Sequence, residues 1–332
     1  MQPSRKLALA LLAPLTLLVM TSATLAADPG LSFPIVSEVS DQKAGSLLIY
    51  NAYTSSQTTP GTQDSRVSIT NTSSTAAAFV HLFFVDGATC SIADSFLCLT
   101  ANETSAFLAS DVDPGVSGYI VALAVNFDGV PAVHNFLIGS VYVKYASGHA
   151  GKLGAEAFTK LTDTNVLSTD GTLAALFFDG LPLAGSYNRT ARTLALDNIP
   201  SRASGNDTLL IVNRIGGNLA TGAATLGTLF GRLFDDAETA LSFSITGGCQ
   251  LRGSLSDTFP RTAPRFQDFI PAGHSGWLTI FSFSDIGILG ASINFNPNAG
   301  GTKGAFNGAS NLHKLTLSAA GNYVIPIFGP SC

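Results

Sequence analysis

Charged residues are scarce in this 332-residue chain, at 12% against about 25% in an ordinary soluble domain. The apolar share, 46%, is ordinary, so the surface is expected to be built mainly from Ser, Thr, Asn, Gly and Ala. Positive charge is scarcer still: 17 Lys and Arg face 22 Asp and Glu, and no window concentrates the basic ones. Nucleic acid and anionic membrane are poor partners on that ground, because both require clustered Lys and Arg. Metal-ligand spacing is missing as well. The five histidines are scattered singly and none of the four cysteines stands in a CxxC pair, so no metal or other cofactor is expected.

What the chain does have begins with a leader. Residues 1–26 set Arg5 and Lys6 before LALALLAPLTLLVM, with small residues around TSATLAA, the order of a secretory signal peptide cleaved near Ala26 or Ala27. The apolar run is short for a membrane span and is broken by Pro14, which argues against an anchor. The tail NYVIPIFGPSC carries no second run, so membrane insertion is not expected. The mature chain is expected to be secreted and extracellular, with periplasm or cell surface as alternatives.

Cys90, Cys98, Cys249 and Cys332 all lie beyond the leader, and an even count in an exported chain reads as disulfides. Cys90 and Cys98 bracket the short segment CSIADSFLC and are expected to pair across a hairpin. That leaves Cys249 for Cys332; the alternative keeps Cys332 free for an intermolecular bond.

The main long-range signal is internal. Residues 107–136, FLASDVDPGVSGYIVALAVNFDGVPAVHNF, return in weaker form at 266–295, FQDFIPAGHSGWLTIFSFSDIGILGASINF. Phe107 and Phe136 answer Phe266 and Phe295 at one offset. Asn135 finds Asn294 at the same offset, Ser117-Gly118-Tyr119 and Gly129 find Ser275-Gly276-Trp277 and Gly287 after a one-residue slip, and Pro114 finds Pro271 after one more. A repeat of this kind speaks for duplicated architecture rather than for an activity.

Around each copy the chain reads as short strands between turn clusters. In AAFVHLFFVDG, Val80, Leu82 and Phe84 point one way and His81, Phe83 and Val85 the other, so this strand is expected to be covered on both faces. One helical turn is expected near 154–160. Asn213 is matched with Asn71, and two alignments compete for this strand: LSFSITGGC at 241–249 laid on LFFVDGATC at 82–90, which places Cys249 on Cys90, or TLFGRLFDD at 228–236 laid on FVHLFFVDG. The expected fold class is all-β, two tandem antiparallel β-sandwich domains of immunoglobulin-like or Greek-key type related by internal duplication. An N-terminal extension, 27–44, supplies an edge or donor strand. The first domain runs over 45–160 and the second over 161–332, with polar LTDTNVLSTDG at the join.

The search for catalytic chemistry is largely negative, and no catalytic residue is expected. AGHSGW at 272–277 is similar to the G-x-S-x-G elbow of hydrolases, but Trp277 stands at the second glycine. The residues after Trp277 read as a strand, whereas the elbow needs a strand-to-helix turn. Asp111, Asp113, Asp163, Asn165 and Asp170 lie in loops without the spacing of a calcium ladder and read as turn formers. His81 and His134 read as packed side chains. Asn71, Asn102, Asn188 and Asn206 open N-x-S/T triplets, which matter only in a glycosylating host. Trp277, Tyr119, Tyr50, Tyr53 and Tyr187 are sugar-stacking candidates. The Tyr119/Trp277 correspondence favours core or corner positions, because both copies then fill the same place.

The run VHLFFVDGATCSIADSFLCLTANETSAFLASDVDPGVSGYIVALAV, with its paired cysteines and DPG-x-x-GYI turn, resembles a set of uncharacterised secreted bacterial proteins. The resemblance covers about residues 45–160, implies a secreted bacterial β protein and brings no catalytic residues. The second copy departs from it by lacking the second cysteine and the DPG turn. The function expected is that of a non-catalytic structural or self-associating extracellular protein, such as a surface-layer, matrix or filament subunit. An adhesin or carbohydrate-binding module is the alternative, and an exported hydrolase a distant third. Partners are expected to be further copies of the chain, surface or matrix components, or a glycan.

Overall fold

Val, Ile, Leu, Phe and Tyr recur at period two through most of the chain, and a backbone that places successive side chains on opposite faces turns that pattern into sheets. The computed structural model describes residues 37–332 apart from 257, 302–304 and 319. The signal peptide assigned to 1–26 and the first part of the lead-in lie outside the described residues. Nearly all regular structure is β, in antiparallel sheets.

The first half contributes β1 (Leu47–Thr54), β2 (Asp64–Asn71), β3 (Ala78–Asp86), β4 (Ile92–Leu99), β5 (Thr104–Leu108), β6 (Ser117–Val125), β7 (Leu137–Lys144), β8 (Ala150–Gly154) and β9 (Glu156–Phe158). They pair in two sheets, β4-β3-β6-β1-β9 and β5-β2-β7-β8. Their facing sides enclose Leu48, Tyr50, Val67, Ile69, Val80, Leu82, Phe84, Ile120 and Val141. The helical turn expected at 154–160 is instead β9, which pairs with the first residues of β1.

After β10 (Val166–Leu167) and β11 (Leu173–Phe177) come β12 (Ala191–Pro200), β13 (Asp207–Ile215), β14 (Gly217–Asn218), β15 (Gly222–Ala223), β16 (Gly227–Asp235), β17 (Ala240–Gly247) and β18 (Gln250–Leu255). The four-residue helix α1 (Phe266–Phe269) precedes β19 (Ser275–Phe281), β20 (Gly287–Phe295), β21 (Gly308–Asn311), β22 (His313–Leu317) and β23 (Asn322–Pro326). The order of pairing now recurs. β17-β16-β19-β12-β22 repeats β4-β3-β6-β1-β9, and β18-β13-β20-β21 repeats β5-β2-β7-β8. In the second half one pair, Ala191 with Ile288, joins the two sheets into one. The corresponding contact of the first half is the isolated bridge Gly45 to Leu137.

These pairings decide which residues correspond. β16 meets β19 as β3 meets β6, so TLFGRLFDD is the counterpart of FVHLFFVDG and LSFSITGGC is that of β4. Ser-Gly-Tyr at 117–119 and Ser-Gly-Trp at 275–277 hold the same place. Each lies opposite a bulge, between Tyr50 and Tyr53 of β1 and between Leu196 and Ile199 of β12. The glycine is required in both, because a Cβ on Gly118 would strike the Val85 carbonyl and one on Gly276 the Phe234 carbonyl. Both glycines lie within strands, β6 and β19. The far ends of the two stretches do not correspond: Asn135 and Phe136 precede β7, while Asn294 and Phe295 close β20. In the register of β2 and β13, the residue matching Asn71 is Arg214, not Asn213.

β10, β11, β23, β14 and β15 form a further sheet. Its Ala174, Leu176, Tyr323 and Ile325, with neighbouring Phe178 and Tyr187, pack on the outer face of the first sandwich against Leu47, Ile49, Phe83, Val85, Tyr119 and Val121. This accounts for the apolar character of β3 on both faces, as its alternation predicts. A second contact joins the halves elsewhere. Leu209, Ile211, Ala291 and Ile293, on the outer face of β13 and β20, share a core with the first sandwich. Beside them Asn51, in the β1 bulge, donates to the Gly290 carbonyl at 3.1 Å and to Asn311 Oδ1 at 2.9 Å. All the described residues belong to one packed unit.

The disulfides also cross between the halves, and this corrects the expected pairing. Cys90 is bonded to Cys249 and Cys98 to Cys332, with no free cysteine. Cys90 sits in the β3-β4 turn and Cys98 near the far end of β4, opposite Phe79. A strand rises about 3.3 Å per residue, so the two lie roughly 20 Å apart, well beyond the ~7 Å that a disulfide spans. Residues 37–44 of the proposed donor strand lie along their own chain. Ser40 pairs with Ala157, Val39 is buried, and the Lys43 ammonium donates to Asn188 Oδ1 and Thr159 Oγ1. Burial pulls that ammonium down to about 8.

Candidate functional site on the uncovered sheet face

The outer face of the first sandwich's large sheet is roofed; among the described residues no sheet covers the matching face of the second. Register assigns its residues. Phe234 pairs with Trp277, Arg232 with Thr279 and Phe230 with Phe281 across β16 and β19. Thr279 continues to Ala195 and Phe281 to Thr193 on β12, while Ser242 and Ser244 of β17 flank Arg232 and Phe230. Leu229, Leu233, Leu278 and Ile280, the alternate residues of the same strands, point inward to the second core. Period two therefore puts the first set outside.

Two aromatic platforms result. Phe234 and Trp277 stack with ring centroids 4.6 Å apart at an interplanar angle of 13°. Phe230, Phe281 and Phe283 form a triangle with centroids 5.4 to 5.6 Å apart. Trp277 is 40% exposed and Phe283 73%. Four residues of strand separate Phe230 from Phe234, about 13 Å at ~3.3 Å per residue. Between the platforms runs the row Ser242, Arg232, Thr279 and Ala195, polar in its first three members. Thr279 is only 6% exposed, yet its Oγ1 has no hydrogen-bond partner. At the outer end the Arg192 guanidinium donates to the Phe283 carbonyl at 2.9 Å. Among the described residues, neither Arg192 nor Arg232 lies within 4 Å of a carboxylate.

Of the aromatic candidates from the sequence, Trp277 alone reaches this surface. Tyr50, Tyr53, Tyr119 and Tyr187 are fully buried. The shared-corner expectation for Tyr119 and Trp277 holds for strand position and fails for environment. Tyr119 lies under the covering sheet, where burial pushes its hydroxyl up to about 12; Trp277 is 40% exposed beside Phe234. Sequence reasoning missed Phe230, Arg232, Phe234, Phe281 and Phe283. The available signal was the difference from the first half, in which Phe83 stands at the strand position of Arg232 and Val121 at that of Thr279.

At the end of the same strands, His274 Nδ1 meets Asp236 Oδ2 at 2.5 Å, beside a cleft of about 460 Å³ lined by Ser201, Ser204, Asn206 and Ser275. Ser275 opens strand β19, so the elbow turn is not formed. Ser201 Oγ donates to the Ile270 carbonyl at 2.8 Å and Ser204 Oγ accepts from the Gly273 amide at 2.9 Å, so both are committed to the loop backbone.

The remaining candidates take local roles. Asp170 accepts from Ser168 and Thr172, which holds its carboxyl down to about 2. Asp113 accepts from the Tyr53 hydroxyl and Asp111 from the Leu108 amide. No group of three or more His, Cys, Asp or Glu converges among the described residues. His81 lies between Phe83 and Phe96 with Nε2 3.1 Å from Asp94 Oδ2. His134 Nε2 meets Asn71 Oδ1 at 2.8 Å. Asn71, Asn188 and Asn206 are buried, which leaves Asn102 as the exposed member of the four glycosylation triplets. No helix among the described residues is long and apolar enough to cross a membrane, and the two disulfides suit an oxidising environment. Comparisons with protein-family models, curated proteins and solved structures find no match to this chain.

Proposed function

We propose that this chain is an exported, non-catalytic extracellular protein of two tandem immunoglobulin-like sandwiches derived from one duplicated unit, and that it works by contact. The bare face of the second sandwich is its working surface, in the manner of an adhesin or matrix-binding module. The observation that carries this reading is the pair of aromatic platforms on a sheet face whose counterpart in the first half is roofed. Exposed aromatic clusters of this kind are costly to leave in water and are typical of contact surfaces. The recurring strand order supports the duplication.

The test compares the mature chain, from about Ala27, with a Trp277→Ala/Phe283→Ser variant for retention on washed bacterial extracellular matrix. Wild type is expected to sediment with the matrix. The variant, at unchanged melting temperature, is expected to stay in solution. Equal retention of the two would remove the bare face from the function. Self-association as a surface-layer, matrix or filament subunit is the second reading, favoured by the low charge of the chain. Light scattering over a concentration series checks it, since a strict monomer at every concentration excludes it.

A further inference from the structure

We propose that the bare face of β16, β19 and β12 binds an acidic glycan, with sugar rings on the two aromatic platforms and a uronate or sulfate group held by Arg232 between them. This deepens the contact reading above and rests on it.

The two faces differ position by position. On the covered face the middle row is Phe83, Val121 and Ile49, an apolar surface that fits another apolar sheet. On the bare face the same three positions are Arg232, Thr279 and Ala195. The ends change the other way: Val85 and Tyr119 correspond to Phe234 and Trp277, and His81 and Leu123 to Phe230 and Phe281. Aromatic surface is therefore enlarged at both ends, while the middle row loses its large apolar side chains and gains Arg232 and Thr279. A second protein sheet has no use for that alternation. A sugar chain does, because each pyranose ring has an apolar face that stacks on an aromatic ring and a rim of hydroxyls that seeks polar partners.

The charge pattern selects the acidic class. The chain as a whole is acidic, with a net charge of −5, yet this face carries Arg232 and Arg192 with no carboxylate within 4 Å among the described residues. A guanidinium is suited to bidentate recognition of a carboxylate or sulfate. Thr279 Oγ1, beside Arg232, is buried in the same row, so Arg232 is the polar side chain that reaches the surface there. Two guanidiniums are too few for the dense charge of a nucleic acid. A second copy packed face to face about a two-fold axis would bring the guanidinium rows together without counter-charge.

The experiment is affinity electrophoresis and calorimetry of the mature chain with polygalacturonate and chondroitin sulfate, against neutral dextran and β-glucan. Both acidic polymers represent the shared chemistry, one offering carboxylate alone and the other sulfate as well. Wild type is expected to bind at least one of them and neither neutral polymer. Arg232→Gln and the double variant Trp277→Ala/Phe281→Ala are each expected to weaken binding at least ten-fold at unchanged melting temperature. The proposal is overturned by no binding to either acidic polymer or by equal binding to neutral ones. It is equally overturned by a loss confined to Arg232→Gln, which would mean charge attraction alone. Binding of single-stranded oligonucleotide that depends on the aromatic residues, or dimerisation abolished by the same variants, would assign the face to another occupant. If the face variants lose matrix retention while no acidic polymer binds, the glycan assignment fails and the contact reading stands; retention untouched by them removes both.

Discussion

The outer face of β3, β6 and β1 lies beneath β11 and β23, whereas among the described residues no sheet covers the matching face of β16, β19 and β12, where Trp277 and Phe283 are exposed. At the other sheet of each sandwich the relation is reversed. Leu209, Ile211, Ala291 and Ile293 of β13 and β20 are packed against the first half, and register matches them to Arg66, Ser68, Ser140 and Tyr142 of β2 and β7, with Tyr142 half exposed. Strand order and inner faces are common to the halves, so the fold does not dictate the outer residues. They answer to what lies upon them. By that rule Arg66, Ser68 and Ser140 belong to a surface meant for water, and the exposed aromatic residues of the second half fit the contact surface proposed above.

Exchanging matched residues breaks the comparison most sharply. Phe83→Arg puts a guanidinium under the covering sheet with no counter-charge and is expected to cost more than about 4 kcal/mol. Arg232→Phe, at the matching position in solvent, is expected to stay within about 1 kcal/mol of wild type. Urea unfolding monitored by tyrosine and tryptophan fluorescence reads both, and similar midpoints for the two variants would mean the faces are alike. Next in size are the bonds that tie the halves. Cys90 and Cys249 are separated by 159 residues, so replacing both by Ser is expected to lower stability by about 4 kcal/mol. Peptide mapping without reduction should find 90 linked to 249 and 98 to 332; a 90–98 peptide would refute the connectivity.

A smaller contrast is expected from truncating the matched aromatics. Tyr119→Ala empties a buried site and should cost about 3 kcal/mol, whereas Trp277→Ala should cost less than about 1 kcal/mol. Equal losses would mean that Trp277 is as enclosed as Tyr119. The mildest contrast is with pH. His81, His134 and His149, all in the first half, have their pKa values lowered, with burial the largest cause; Asp94 and Asp207 partly oppose it at His81 and His149. A histidine kept neutral by folding takes up its proton more readily when unfolded. Its contribution is therefore complete above the unfolded value of about 6.5 and is lost as pH falls below it. Glu156, raised by burial against the pull of Lys314, acts in the opposite sense at lower pH, since protonation relieves its buried charge. Hydrogen exchange at pH 7.5 and 5.5 should show first-half amides losing protection before those of β16, β17 and β19. Simultaneous loss would place the acid sensitivity elsewhere.

How much of this was legible in sequence depends on range. β3 with both faces apolar, and the Ser-Gly-aromatic correspondence, are local patterns enforced by the pleat and by a carbonyl that leaves no space for a Cβ at Gly118 or Gly276. Cysteine partners are not local. Proximity in sequence favoured Cys90 with Cys98, but an extended β4 separates them. Asn135 and Phe136 matched Asn294 and Phe295 by composition although they fall at opposite ends of corresponding strands. Trp277 was visible as the counterpart of Tyr119, yet its exposure was not, because the roof over Tyr119 is supplied by residues near 175 and 324. A site defined by the absence of a cover leaves its trace in the cover's own sequence.

The disulfide connectivity also imposes an order of events. For export N-terminal end first, as proposed above, the first two thiols to arrive, Cys90 and Cys98, are not partners, and their partners, Cys249 and Cys332, belong to the second half. Eight residues apart, these two thiols meet far more often in a flexible chain than either meets a thiol more than 150 residues away. The rapid bond is thus a wrong one, and reaching the native pair requires thiolate attack and exchange through a mixed disulfide. Yield in an oxidising host should therefore depend on a disulfide isomerase more than on an oxidant alone.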